Sequence, residues 1–281
     1  MKLNLKFLKI KNSAFHTKNE ATWKKILKLF FHSRTGRLIR NTFNFRKPVF
    51  LYDYEKDYLA SDLFIWRTDN GLSTIFKSSN ILKKFYSSNS KIIIIFYSSN
   101  GEFIKQQSYD HSEITFELII DEKFIGRRGF GTFCVFDFPK YVTNIEFNVT
   151  NRCYVGYGRN QSYSMMHGNI IGLMVSSKIN PKDLKMSIRP AVSDHIAKFN
   201  YFIQVKPSNS HDTKICFSNP LDREISVEVN KKKFSINPRG CVLVNLCETF
   251  QLDVIEIKSD FVRARPSIIF DNGKIIDCLH S

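Results

Sequence analysis

The chain has 281 residues, a hydrophobic fraction of 43% and 26 Phe, which excludes a largely disordered polymer and leaves length for about two domains of ~100 to 200 residues. Its net charge of +16 sits at the start: residues 1–50 hold 13 Lys or Arg against Glu20 alone, leaving 29 basic and 25 acidic residues to the rest. A nucleic-acid-binding domain carries its basic face within the folded body, so nucleic acid is not an expected partner.

Residues 1–47 read as a basic arm. Within it, residues 18–32, KNEATWKKILKLFFH, place Trp23, Ile26, Leu27 and Phe30 at helical spacing with Lys24, Lys25 and Lys28 on the flank. That is a basic amphipathic helix. It has two uses: Trp23 and Phe30 insert into an anionic membrane surface while the lysines meet phosphates, or the apolar face docks on protein. Lysines at 2, 6, 9 and 11 break the apolar core that a signal peptide needs, and no run approaches ~20 apolar residues. The expectation is a cytoplasmic protein, peripheral to a membrane, with no spanning helix.

Pro48 opens a stretch rich in aromatic residues, and residues 48–180 read as a first β unit. A short strand covers 64–66, a turn follows at Thr68-Asp69-Asn70-Gly71, and the spacing of Ile75, Phe76, Ile81, Leu82 and Phe85 predicts a short helix over 73–86. Residues 91–97, KIIIIFY, form a continuous apolar run that ends at Ser98-Ser99-Asn100-Gly101, which predicts a buried strand and a hairpin turn. Strands at 113–120, 131–138 and 144–150 come next, while Asp110, His111 and Glu113 read as a polar loop. Residues 181–200, broken by Pro181 and Pro190, read as a connector. A second β unit then covers 201–281, with strands at 213–217, 225–229, 241–246, 252–257, 261–270 and 274–279. Short strands at such spacing point to a mainly β fold, two antiparallel β-sandwich units in tandem behind an N-terminal amphipathic helix. Residues 151–169 and 260–281 echo each other, each with an apolar or aromatic strand, an Arg and a late His, which raises a duplication.

Those two stretches also hold the candidate binding residues: Tyr154, Tyr157, Arg159, Asn160, His167 and Asn169 in the first, Arg265 and His280 in the second. Aromatic faces pack on the C–H surfaces of sugars, and the planar fork of Arg, the amide of Asn and the imidazole of His bond hydroxyls. The plainer alternative puts the inward tyrosines in the core and uses each His to cap a strand. Six Cys (134, 153, 216, 241, 247 and 278) contain no CxxC pair and read as buried thiols. No HxH pair, GxSxG elbow or phosphate loop occurs, so no metal, cofactor or catalytic centre is expected. The function that fits is a non-catalytic binding or accessory protein recognising a saccharide or another polar surface ligand. The alternatives are a carbohydrate-active enzyme built on Arg159, His167 and His280, and a structural or assembly protein such as a virion component.

Overall fold

The computed structural model describes residues 30, 35–36, 39, 58–140, 153–159, 162–168, 173–175, 188–190, 199–205, 212–246, 254–261 and 266–280. The chain divides into two compact units, Met1–Arg46 and Lys47–Ser281. In the first, Phe30 is helical and 51% exposed, while Trp23, Lys24, Lys25 and Lys28 lie outside the described residues.

The second unit is mainly β, with several antiparallel sheets and two short helices among its described residues. Sheet A orders β1 (Leu59–Ala60), β7 (Phe130–Pro139), β4 (Ser90–Ser98) and β5 (Phe103–His111), with β2 (Phe64–Arg67) also paired to β7. Side chains of a strand alternate between faces. On β4, Ile92, Ile94 and Phe96 therefore join Phe64, Trp66 and Phe133 in one apolar cluster. Ile93, Ile95 and Tyr97 join Ala60, Leu63, Phe136, Leu173 and Val175 in another. The unbroken run KIIIIFY is apolar on both faces because both faces are covered.

Sheet B orders β6 (Thr115–Ile120), β3 (Ser73–Ser79), β8 (Tyr154–Arg159) and β9 (Ser162–His167). Sheet C orders β16 (Cys241–Asn245), β13 (Asp212–Ser218), β18 (Ser267–Asp271) and β19 (Ile276–His280). Sheet D orders β12 (Phe199–Gln204), β17 (Val254–Ser259), β14 (Ile225–Val229) and β15 (Lys232–Ile236), and a separate ribbon pairs β10 (Leu173–Val175) with β11 (Ile188–Pro190). Sheet C feeds two cores. Its Cys216, Cys241, Ile269 and Cys278 pack with Trp66, Phe76 and Val155, and its Ile215, Phe217, Val244 and Ile268 pack with Val227, Ile255 and Ile257 of sheet D.

Two local expectations are corrected. Residues 73–86 are not one helix: β3 runs first, pairing with β6 on one side and β8 on the other, and only then does α1 (Ile81–Tyr86) form, capped by Asn80, whose side chain accepts from the Lys83 amide at 2.8 Å. Two ladders of inter-strand hydrogen bonds outweigh a weak helical period in so short a stretch. Residues 103–111, FIKQQSYDH, form β5 and bring His111 into the interior, 2% exposed, rather than leaving it in a polar loop. The half-buried position of β5 lets Lys, Gln and Ser occupy a strand, which hides the apolar alternation. The short α2 (Glu122–Ile125) closes the turn after β6, ending at Gly126 in the left-handed region.

The expected turn at Ser98–Gly101 is present, and it is pressed against a second turn at 237–240. The Cys241 amide donates to the Ser99 carbonyl at 2.9 Å, and a methyl group built on Gly101 would lie 1.8 Å from the Pro238 carbonyl oxygen. Gly101 also has φ +82°, which a side chain disfavours. Gly71 has φ +69° but open space around it. Gly101→Ala therefore lowers unfolding free energy by more than the roughly 1–2 kcal/mol expected of the left-handed conformation alone, and Gly71→Ala by no more than that; urea midpoints of the two variants check the order.

Candidate functional site

The outer face of sheet B carries a polar row set by strand register. Glu117 on β6 lies opposite Lys77 on β3, Lys77 opposite Tyr154 on β8, and Tyr154 opposite His167 on β9. All four side chains are exposed, Tyr154 by 51%. With strands ~4.8 Å apart, the row spans about 14 Å. Lys77 Nζ meets Glu117 Oε2 at 2.7 Å, and His167 Nδ1 lies 3.1 Å from the Gly168 carbonyl oxygen. The next row is Ile119, Ile75, Gly156 and Met165. Gly156 leaves little room for a side chain there, since a methyl group on it would lie 2.7 Å from the Ser164 carbonyl oxygen. Beyond it, the hydroxyls of Tyr163 and Ser73 are bonded at 2.9 Å.

Tyr157 belongs to the opposite face. It is completely buried, and its hydroxyl donates to the Ile65 carbonyl at 2.8 Å. Burial pushes that hydroxyl well above its ordinary pKa. The segment YVGYGR looks polar because two glycines stand among its outward positions, yet only Tyr154 is exposed and residues 155–158 are all buried. Tyr154 and Tyr157 therefore do not share a ligand platform.

Arg159 ends β8 and is committed to other protein groups. Its Nη1 and Nη2 donate to the two carboxylate oxygens of Asp271 at 2.7 and 2.8 Å, and its Nε and Nη2 donate to the Asn70 carbonyl at 3.2 and 3.1 Å. The bond to Asp271 raises the guanidinium pKa. Burial pushes Asp271 upward, but Arg159 and the Gly273 amide at 2.9 Å outweigh it, leaving the carboxyl below its usual range. Beside this pair, Arg67 is wholly buried and chelates Asp69 through Nε at 2.9 Å and Nη2 at 2.6 Å. Two Arg–carboxylate forks thus join the Thr68–Gly71 turn, the end of β8 and the Asp271–Gly273 turn.

The two echoing stretches are neighbours. Ser164 Oγ donates to Asp277 Oδ1 at 2.8 Å, the Cys278 amide donates to Ser164 Oγ at 3.1 Å, and Cys278 Sγ lies 3.1 Å from the Ser164 carbonyl oxygen. His280 lies on β19 opposite Ser267. Asn160, Asn169 and Arg265 lie outside the described residues. Sequence reading passed over Lys77 and Glu117; the alternation of Ile75, Lys77 and Ser79 against Phe76 and Ser78 was the available signal.

The five described cysteines are buried thiols, with no disulfide among the described residues. Burial pushes Cys134 and Cys216 up to about 12. Among the described residues no group of three His, Cys, Asp or Glu can hold a metal ion, and no helix is long and apolar enough to cross a membrane.

No protein-family model matches the chain, and no curated protein matches it. Among solved structures, the exo-chitosanase CsxA of Amycolatopsis orientalis aligns at 10% identity with a TM-score of 0.12, over 79% of this chain and 26% of that one. The exo-beta-D-glucosaminidase CsxA bound to inhibitors gives the same identity, coverage and TM-score. This chain thus spans about a quarter of the length of those proteins, and the similarity is below the level of a shared fold.

Two outcomes follow from this chemistry. Asp271 has a depressed pKa in the folded protein, so its contribution is fully present above the unfolded value of about 3.9 and is lost as pH falls through the lower folded value. Asp271→Asn lowers stability by about 1–3 kcal/mol near neutral pH and flattens the acid limb of the stability profile, as measured by denaturant unfolding from pH 6 to pH 2. At pH 8 the five described thiols react with Ellman's reagent only when denaturant unfolds the chain, because burial disfavours the thiolate and blocks access.

Proposed function

We propose that this is a non-catalytic binding protein that holds a saccharide on the outer face of sheet B. The observation that carries the reading is the row Glu117, Lys77, Tyr154 and His167, in which an exposed phenol ring lies between an ion pair and an imidazole. The face of Tyr154 suits the C–H surface of a sugar ring, and the flanking groups supply donors and acceptors to its hydroxyls. The commitment of Arg159 to Asp271 and Asn70 weighs against the enzyme alternative, which needs that guanidinium for substrate. The frame we infer for this reading is a pair of sandwiches, sheets A and B in one and C and D in the other, with sheet C also closing the first core. Their connectivity differs: β4 pairs with the strand that follows it, whereas β13 pairs with β16 and β18. That difference weighs against a simple duplication.

A second reading concerns the arm. Phe30, helical and half exposed, supports a role for the basic amphipathic segment expected over 18–32 at an anionic membrane surface. Liposome flotation checks it: the full chain floats with vesicles containing phosphatidylserine and a chain lacking residues 1–47 does not, while equal recovery of both in the soluble fraction disposes of the idea.

For the saccharide site, a glycan array probed with wild type, Tyr154→Ala and Tyr157→Phe is decisive. Wild type and Tyr157→Phe bind the same glycans, and Tyr154→Ala loses at least roughly tenfold in affinity, the weight of one aromatic contact plus its polar neighbours. Silence of the wild-type protein across the array, or undiminished binding by Tyr154→Ala, rejects the site.

A further inference from the structure

Four buried polar side chains lie around the end of sheet A where β4 begins, on the face away from the polar row of sheet B. Ser90 is 0% exposed, Asp137 1%, His111 2% and Ser78 5%. Register places Ser90 directly opposite His111 on β5, and Asp137 on β7 opposite Ile92, one same-face position further along β4. The three side chains therefore share one face of sheet A. Ser78 reaches the same region from β3: it lies opposite Phe116, whose ring stands edge-on to the His111 ring with centroids 5.7 Å apart.

None of these groups makes a side-chain hydrogen bond among the described residues, although His111 and Asp137 face each other as a pair. His111 Nδ1 is 3.5 Å from Asp137 Oδ2, at the limit of reach and not aligned as a hydrogen bond. Both imidazole nitrogens, both carboxylate oxygens and the hydroxyl oxygens of Ser78 and Ser90 have no hydrogen-bond partner among the described residues. Buried polar atoms are paired by protein or by ordered water in almost every fold, since an orphaned one forfeits its hydration without return. Six such atoms gathered around one end of a sheet are the chemistry of a hydrated interior site.

We propose that Ser78, Ser90, His111 and Asp137 form an internal water site, holding one or two long-lived water molecules inside the sheet A core. The donor and acceptor inventory selects water. The Asp137 carboxylate only accepts, while the two hydroxyls and the imidazole both donate and accept; water donates to the first and exchanges both roles with the others. A divalent cation is disfavoured because no three His, Cys, Asp or Glu among the described residues come together. The site also braces the chain around it. The His111 carbonyl accepts from Asn80 Nδ2 at 2.8 Å, and the same Asn80 caps α1 through its Oδ1, so fixing His111 fixes the entry to that helix.

Oxygen-17 magnetic relaxation dispersion on the full chain, joined to a high-resolution crystal structure and metal analysis, tests this. The wild-type protein shows a long-residence water contribution, and density stands at about 2.7–3.2 Å from an Asp137 oxygen and from Ser90 Oγ. The double variant Ser78→Ala, Ser90→Ala keeps the circular-dichroism spectrum of the wild type and loses at least half of that contribution. Should that variant fail to fold, His111→Gln serves in its place with the same expected loss. An unchanged relaxation contribution in a folded variant, stoichiometric metal in the purified protein, or direct His111–Asp137 hydrogen bonding with no density between them each overturns the proposal.

Discussion

The double burial of sheet C is the constraint on which the rest of the second unit depends. Its strands send Cys216, Ile269 and Cys278 into one apolar cluster and Ile215, Phe217 and Ile268 into another, so neither core is complete without it. A strand covered on both faces must be apolar at nearly every position, or use small and weakly polar residues where a large side chain will not fit. Cysteine meets that need on sheet C: it is compact and apolar, and its thiol tolerates the loss of water. The same logic governs β4, where consecutive isoleucines serve two clusters at once.

Polar groups do a different job at the margins of these layers. Arg159 grips Asp271 and the Asn70 carbonyl, and Arg67 grips Asp69 without exposure to solvent. The Arg67 fork closes its own turn and leaves Nη1 without a hydrogen-bond partner among the described residues, whereas the Arg159 fork fixes the relative placement of turns that apolar packing would leave free to slide. The turn contact between Gly101 and Pro238 acts alongside them, with Arg239 behind it donating to the Pro220 and Leu221 carbonyls at 2.7 and 2.8 Å. Chain segments far apart in sequence are held together by backbone carbonyls as much as by side chains.

With its interior so committed, the protein has outward-facing chemistry mainly where a sheet faces solvent. The row from Glu117 to His167 is such a place: it needs no cavity, because a strand register alone aligns four different side chains across a sheet. The saccharide reading we propose rests on that openness, since an extended or surface-borne ligand can lie across such a row.

The amino-acid sequence by itself determined the mainly β character, the buried strand at 91–97, the turn at 98–101 and the burial of the five described thiols, because each follows from local composition and from the period of side chains along a strand. It also singled out the 151–169 stretch. What it could not decide was which side each residue faces and whom it meets. Tyr154 and Tyr157 are equivalent as letters, yet one is exposed and the other lies under Ile65. Lys77 and Glu117 join the candidate site only through pairing between strands about 40 residues apart in the chain, and Arg159 finds Asp271 across 112 residues. His111 moves from an expected loop to the interior because β4 offers its edge to a polar segment. Facing and partnership are properties of register, and register is set by the whole sheet.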